Sequence, residues 1–395
     1  MDQLKKTIKL SLCFALILGF VFNLHGQAEI KSNKKNLNTA WSLKLNTVWS
    51  DNVFKLSEKQ MDRFNLNNPG DEISGRYNDM ESINDLIFSI EPKFKMETKN
   101  GLFNRMFSLT GKLNYQQYSG NTKKSFFKLS LSGQQKVSKN GTIIIKAKYI
   151  PSRFKKNYLL DATDSTGSVS SSERIYHEAV YGKIDLSGAY RHRFYVGSLK
   201  INSDFFWGYG NKSYNDEFPG RNQDAFYTGL ALTLKPGKLW DLYLEYTYES
   251  VKSPITKEVM ILDEPDYQID FNNDGDFADN NRRTEQTVNR SHYSNNLEFV
   301  FSVMPVKRFA VYAGAELTFK DYLSSEPIDP NYKDRNDSRT EFMLGFEYQI
   351  LKKLFFMVEY KNINQQTNRP EDPGSVGEET DYITNIVKAG ILWRF

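Results

Sequence analysis

Asp85-Leu86-Ile87-Phe88-Ser89-Ile90-Glu91-Pro92-Lys93-Phe94-Lys95-Met96-Glu97 reads as a two-residue repeat. Leu86, Phe88, Ile90, Phe94 and Met96 alternate with Asp85, Ser89, Glu91, Lys93, Lys95 and Glu97. Side chains of an extended strand point to opposite faces in turn, so this segment has one oily face and one wet one. The pattern returns in Phe103, Phe107, Leu109, Leu113 and Tyr115, and in Tyr195, Leu199, Ile201, Phe205, Trp207 and Tyr209. It returns again in Leu297, Phe299, Phe301 and Val303. Helical spacing is not evident after residue 28. The periodicity predicts strands over 40–50, 84–97, 102–118, 125–137, 142–154, 174–190 and 194–212. It continues over 222–234, 239–251, 290–303, 308–322, 337–350, 354–364 and 381–395. Fourteen is an even number, and most of these strands are long enough to cross a thin membrane at a tilt.

Across the 395 residues, 39% are hydrophobic, 25% charged and 14% aromatic. So low an apolar content argues against a bundle of transmembrane helices. A single cysteine and the absence of a short repeat exclude disulfide-stapled, collagen-like and coiled-coil chains. One apolar run, Leu10 to Leu24, follows Lys5, Lys6 and Lys9 and is short for a membrane span. It suits the core of a secretory signal peptide over residues 1–28, cleaved after Gly26 or Ala28. The alternative is an N-terminal membrane anchor. Cys13 lies within this run, so the processed chain carries no thiol. The formal charge falls from +4 to +2 without the leader and points to no nucleic-acid partner. Residues 29–39 then form a short N-terminal segment ahead of a single domain, 40–395.

Connections between the strands sort by length. Thr98-Lys99-Asn100-Gly101, Ser138-Lys139-Asn140-Gly141, Arg191-His192-Arg193, Lys235-Pro236-Gly237-Lys238, Met304-Pro305-Val306-Lys307 and Leu351-Lys352-Lys353 are all short. The two Asn-Gly pairs suit tight hairpins. The other set is mostly long: 51–83, 155–173, 213–221, 252–289, 323–336 and 365–380, with only 119–124 brief. Short turns at one rim and long loops at the other are the mark of an outer-membrane barrel. In hydrocarbon an unpaired backbone group costs several kcal/mol, so the first strand must pair with the last. The expected fold is an all-β, antiparallel, up-and-down transmembrane barrel. Its termini would be periplasmic and its long loops extracellular.

In the last strand Val387, Ala389, Ile391, Trp393 and the terminal Phe395 share one face, opposite Thr384, Lys388 and Arg394. This resembles the C-terminal signature of bacterial outer-membrane barrels. The resemblance implies that Ile391, Trp393 and Phe395 are read by the barrel-assembly machinery. Trp49-Ser50-Asp51-Asn52-Val53-Phe54 is similar to the Asp-Asn-Val-aromatic motif at the start of some β-barrel porins. Tyr176, Tyr190, Tyr195, Tyr209, Phe226, Trp240, Tyr248, Tyr293 and Tyr348 are candidates for two interfacial aromatic belts in contact with outer-membrane lipids. Glu178 and Asp224 fall on the oily face near long-loop ends, where a charge costs little.

If the oily face meets lipid, the other lines an enclosed interior. That places Lys112, Lys128, Lys136, Lys146, Lys148, Lys183 and Lys200 on one wall. Asp241, Glu245, Glu249, Glu298, Glu316, Glu341, Glu347 and Glu359 fall on another, with Lys388 and Lys44 beside the closure. Two outcomes stay open: a field across a water-filled channel, or local pairing of long side chains. Small polar positions, among them Ser130, Ser132, Gln134, Thr247, Asn296, Gly314 and Gly345, favour open water.

Within 252–289, Asp270, Asn272, Asp274 and Asp276 surround Gly275 as in the start of an EF-hand calcium loop. Asn281 stands where that loop has Glu, so a solvated acidic loop is the competing reading. No cofactor is required. His192 falls in a short turn, and His292, Ser294 and Glu298, at i, i+2 and i+6 on one strand face, are spread over about 20 Å, too far for a Ser–His–acid relay; His177 with Asp185 fails for the same reason. The chain is therefore expected to be no enzyme. It is expected to pass small polar or charged solutes passively, or else to serve as an accessory barrel for a protein partner, including in polysaccharide export.

Overall fold

The computed structural model describes residues 37–66, 72–162, 174–237, 239–261, 283–325, 332–368 and 381–395. The expected leader 1–28 and the expected calcium-type motif, Asp270, Asn272, Asp274 and Asp276, lie outside the described residues. The chain forms β1 (Leu37–Ser50), β2 (Asp85–Thr98), β3 (Phe107–Tyr118), β4 (Phe126–Lys136), β5 (Gly141–Ala162), β6 (Arg174–Val196) and β7 (Leu199–Tyr214). Then come β8 (Gln223–Lys235), β9 (Trp240–Lys252) and a short hairpin of β10 (Thr256–Ile261) and β11 (Arg283–Val288). The remaining strands are β12 (His292–Val306), β13 (Phe309–Tyr322), β14 (Asn336–Leu351), β15 (Leu354–Thr367) and β16 (Tyr382–Arg394). All but the hairpin form one closed antiparallel barrel of fourteen strands, each beside its neighbour in sequence. β1 begins at Leu37, inside the segment expected to precede the barrel.

Closure runs from Ser42 opposite Arg394 to Ser50 opposite Ile386. Asp51 and Asn52 then lock the seam. Asp51 accepts hydrogen bonds from the Asn385 backbone and side-chain nitrogens, both 2.7 Å, and from Thr384 Oγ1 at 3.0 Å. Asn52, buried, donates to the carbonyls of Leu56 at 2.7 Å and Ile383 at 3.2 Å. The Asp-Asn-Val motif thus carries the chain off the first strand while tying it to the last.

The outward face is predominantly apolar, with Glu178 and Asp224 exposed near the long-loop ends. Ile145 is 64% exposed, Leu344 55%, Phe205 54% and Trp207 53%. A continuous band of such side chains cannot be held in water, so its solvent is lipid. Ring pairs gather near the strand ends: Trp41–Phe94 and Trp393–Phe395 at 4.6 Å, Tyr209–Phe226 at 5.1 Å and Tyr248–Tyr293 at 5.8 Å. Tyr176 is not among them, because its ring lies against Gly75 in the cap described below.

Connections sort as expected, with local differences. β6 and β7 run straight through Arg191-His192-Arg193, because Arg191 Nε bonds Asp204 across the ladder at 2.7 Å. The chain turns instead at Gly197, whose φ of +59° costs a glycine little. After β2 the chain makes a 3₁₀ turn at Leu102–Asn104, so β3 starts at Phe107.

Above the long-loop rim sits a cap that the two-residue periodicity does not show. Segment 51–84 holds α1 (Glu58–Leu66) and α2 (Glu72–Arg76). α1 opens with a reciprocal capping box: Gln60 N donates to Ser57 Oγ, and Ser57 N to Gln60 Oε1. Phe54, Leu56, Ile73, Tyr77 and Met80 bury themselves around Phe154 of β5. β5 reaches them through three register shifts against β6, the first beside Pro151, which has no N–H for the ladder.

Candidate functional site

Alternation places the polar set inside, and registers give its layout. Glu245 of β9 lies opposite Glu298 of β12, Glu298 opposite Glu316 of β13, and Glu316 opposite Glu341 of β14. Four carboxylates therefore stand in one row across four strands. β4 and β13 are seven strands apart either way round the ring. On the β4 side, Lys112, Lys128, Lys146 and Lys148 project inward, with Lys128 opposite Asn114 and Lys148 opposite Ser130.

Part of each wall is neutralised locally. Lys112 pairs with Glu91 at 2.8 Å, Glu341 with Arg339 at 2.8 Å and with Lys361, and Glu359 with Lys388 at 3.1 Å. Tyr312 also donates to Glu359 at 2.9 Å. The rest is not. Among the described residues Lys128, Lys146 and Lys148 form no ion pair, and neither do Glu245, Glu298 and Glu316. Glu245 accepts from Tyr243 and from Thr247 at 3.3 Å, and Glu316 from Asn296 at 2.8 Å.

Other expected wall residues sit away from this level. Lys136 ends β4 and Lys200 is second in β7, both by the short turns. Asp241 pairs there with Lys235 at 2.9 Å, and Glu347 lies opposite Ala310 and Met357. Lys183, opposite Lys212, and Glu249, opposite Tyr227, are nearer the long loops. Arg339 and Lys361 are missing from the sequence-derived walls, although counting by twos from Glu341 and Glu359 finds both. At Gly345 the Tyr312 ring fills the space that an added side chain would take.

At the long-loop end the lumen holds a cavity of ≈330 Å³. Its roof is a buried cluster around Glu258 of β10. Arg221 and Arg290 donate to Glu258 at 2.9 and 2.6 Å. The Arg221 guanidinium lies 3.4 Å from the Tyr158 ring centroid, and Arg290 lies over Tyr332 at 5.3 Å. Burial pushes the Glu258 carboxyl up, but the two guanidiniums overcome this and hold it below its ordinary value. No sequence signal marks this cluster, because its members come from four separate long-loop connections of the barrel.

The histidines are dispersed. His177 Nδ1 meets Glu217 at 2.9 Å, His292 Nδ1 donates to the Arg290 carbonyl at 2.9 Å, and His192 lies between the Tyr190 and Phe194 rings. Asp185 accepts from Tyr227 at 2.7 Å rather than from His177. Among the described residues no three His, Cys, Asp or Glu side chains are grouped to hold a metal ion.

Closure, the apolar exterior and the sorted rims define an outer-membrane-type, porin-like β-barrel. Among solved structures the chain is similar to the outer-membrane channel DcaP of Acinetobacter baumannii, with a TM-score of 0.45 and 9% identity over 92% of this chain and 99% of that one. It is also similar to an anion-selective porin from Comamonas acidovorans, at TM-score 0.38 and 8% identity over 91% and 99%. OmpT, an outer membrane protein of Vibrio cholerae, gives TM-score 0.37 and 8% identity over 92% and 99%. Likenesses this distant carry no argument about this chain's solute. No family model and no curated protein matches the sequence.

Proposed function

We propose that this barrel is a passive channel of the bacterial outer membrane for small polar or charged solutes. In this reading the termini are periplasmic and the long loops extracellular, and Ile391, Trp393 and Phe395 present the strand that the assembly machinery reads. One observation carries the proposal: Lys128, Lys146 and Lys148 lie on strands across the ring from the Glu245–Glu298–Glu316 row, and none of the six forms an ion pair among the described residues. Like charges directly opposite on paired strands are destabilising. A lumen that served only as structural filling has no reason to keep such a row, whereas a water-filled pore uses it to orient solutes.

Purified, folded protein in a planar bilayer is expected to open in discrete conductance steps. Silence from folded protein, together with a stable partner recovered in detergent, contradicts the proposal and supports an accessory barrel.

A further inference from the structure

We infer that the cavity at the long-loop end of the lumen is a binding subsite for small oxyanions, solutes carrying a carboxylate or phosphate group. Its size, ≈330 Å³, lies at the lower end of the range for small-molecule pockets, about 300–1,000 Å³. Lys183, Lys212, Lys320, Arg221, Arg290 and Arg335 all line it, from β6, β7, β13 and three loops. Glu249 and Asp337 are the carboxylates among its described lining residues.

Several of these cations are held in place before any solute arrives. Asp337 fixes the Arg335 guanidinium through two bonds of 2.7 and 3.0 Å, and the Tyr322 and Tyr332 rings flank it at 5.1 and 5.8 Å. Glu258 fixes Arg221 and Arg290 from the roof side. The Lys212 ammonium rests over the rings of Tyr181 and Tyr214 at 4.5 and 4.7 Å. A planar guanidinium so oriented meets an oxyanion with little loss of side-chain freedom.

Lys183 supplies the second argument. It stands directly opposite Lys212 on the neighbouring strand, a like-charge pair that weakens the sheet. Among the described residues Lys183 has no ion pair. An oxyanion in the cavity removes that repulsion and gains charge-assisted hydrogen bonds. The inference deepens the channel reading by naming the solute class that the mouth collects before the mid-barrel field.

Calorimetric titration of the folded full-length protein in detergent, at low ionic strength, tests this with inorganic phosphate and with glucose as a neutral control. The expected result is saturable phosphate binding, no glucose binding, and roughly tenfold weaker phosphate binding in Lys183→Gln. Lys128→Gln, at the mid-barrel level, is expected to bind as wild type. Absent phosphate binding, or binding equal in Lys183→Gln and wild type, overturns the inference. Conductance plays no part in this readout: a silent bilayer would count against the channel and leave the subsite standing.

Discussion

A methyl group on Gly208 would overlap the ring of Tyr227, which crosses it to reach Asp185 at 2.7 Å. The glycine is there so that a lumen aromatic can lie flat along the wall. Gly208→Ala is therefore expected to cost on the order of 1–3 kcal/mol, read as a lower thermal midpoint of the folded barrel in detergent. In a Tyr227→Ala background the same substitution is expected to be neutral or slightly stabilising, since alanine suits a strand better than glycine. An equal cost in both backgrounds would contradict the contact. At this scale the sequence is only half legible. Counting by twos assigns Gly208 and Gly345 to the interior, but a lone glycine reads as empty space when a neighbouring strand's ring fills it. Glu341 shows the same limit: its placement follows from parity, whereas its neutralisation by Arg339 and Lys361 depends on strand register.

Strand periodicity is strong because every residue between the rims must choose lipid or lumen, and the bounds of most elements follow from it. The cap has no such constraint. Ser57 and Gln60 carry the one local signal for α1, a capping box that is easily passed over beside long alternating runs. β10 hides because its partner β11 is more than twenty residues away in sequence. Its Glu258 ties the hairpin to Arg221 and Arg290, with Arg76 contributing further positive charge. Removing one partner of a buried ion cluster leaves the others uncompensated, so Glu258→Gln is expected to loosen β10 by on the order of 3 kcal/mol, about a hundredfold faster amide exchange. A carboxyl held below its ordinary value of 4.5 stabilises the fold above that value and loses the effect as pH falls through its lower folded value. Exchange corrected for intrinsic rate should be flat from pH 7 to 5 and should rise only below about 4.5. Protection already lost between pH 7 and 5 would contradict this role.

For the whole molecule, one division organises the chain: apolar side chains outward, charges inward, short turns at one end and a folded cap at the other. All five tryptophans, Trp41, Trp49, Trp207, Trp240 and Trp393, are on the outer face. Lipids brominated along their chains are expected to quench most of the intrinsic fluorescence; emission insensitive to such lipids would contradict a lipid-facing exterior. Opposite charge on separate strands was legible in the sequence as an expectation, because parity survives small errors in strand bounds. Which charges remain unpaired was not, since that depends on registers such as Lys112 beside Glu91. The most direct test of the transverse field is the zero-current potential under a salt gradient. With Lys146→Glu the potential is expected to shift toward cation preference, and with Glu245→Lys toward anion preference, each at nearly unchanged conductance. Potentials identical to wild type in both variants would contradict a water-filled lumen governed by these two walls.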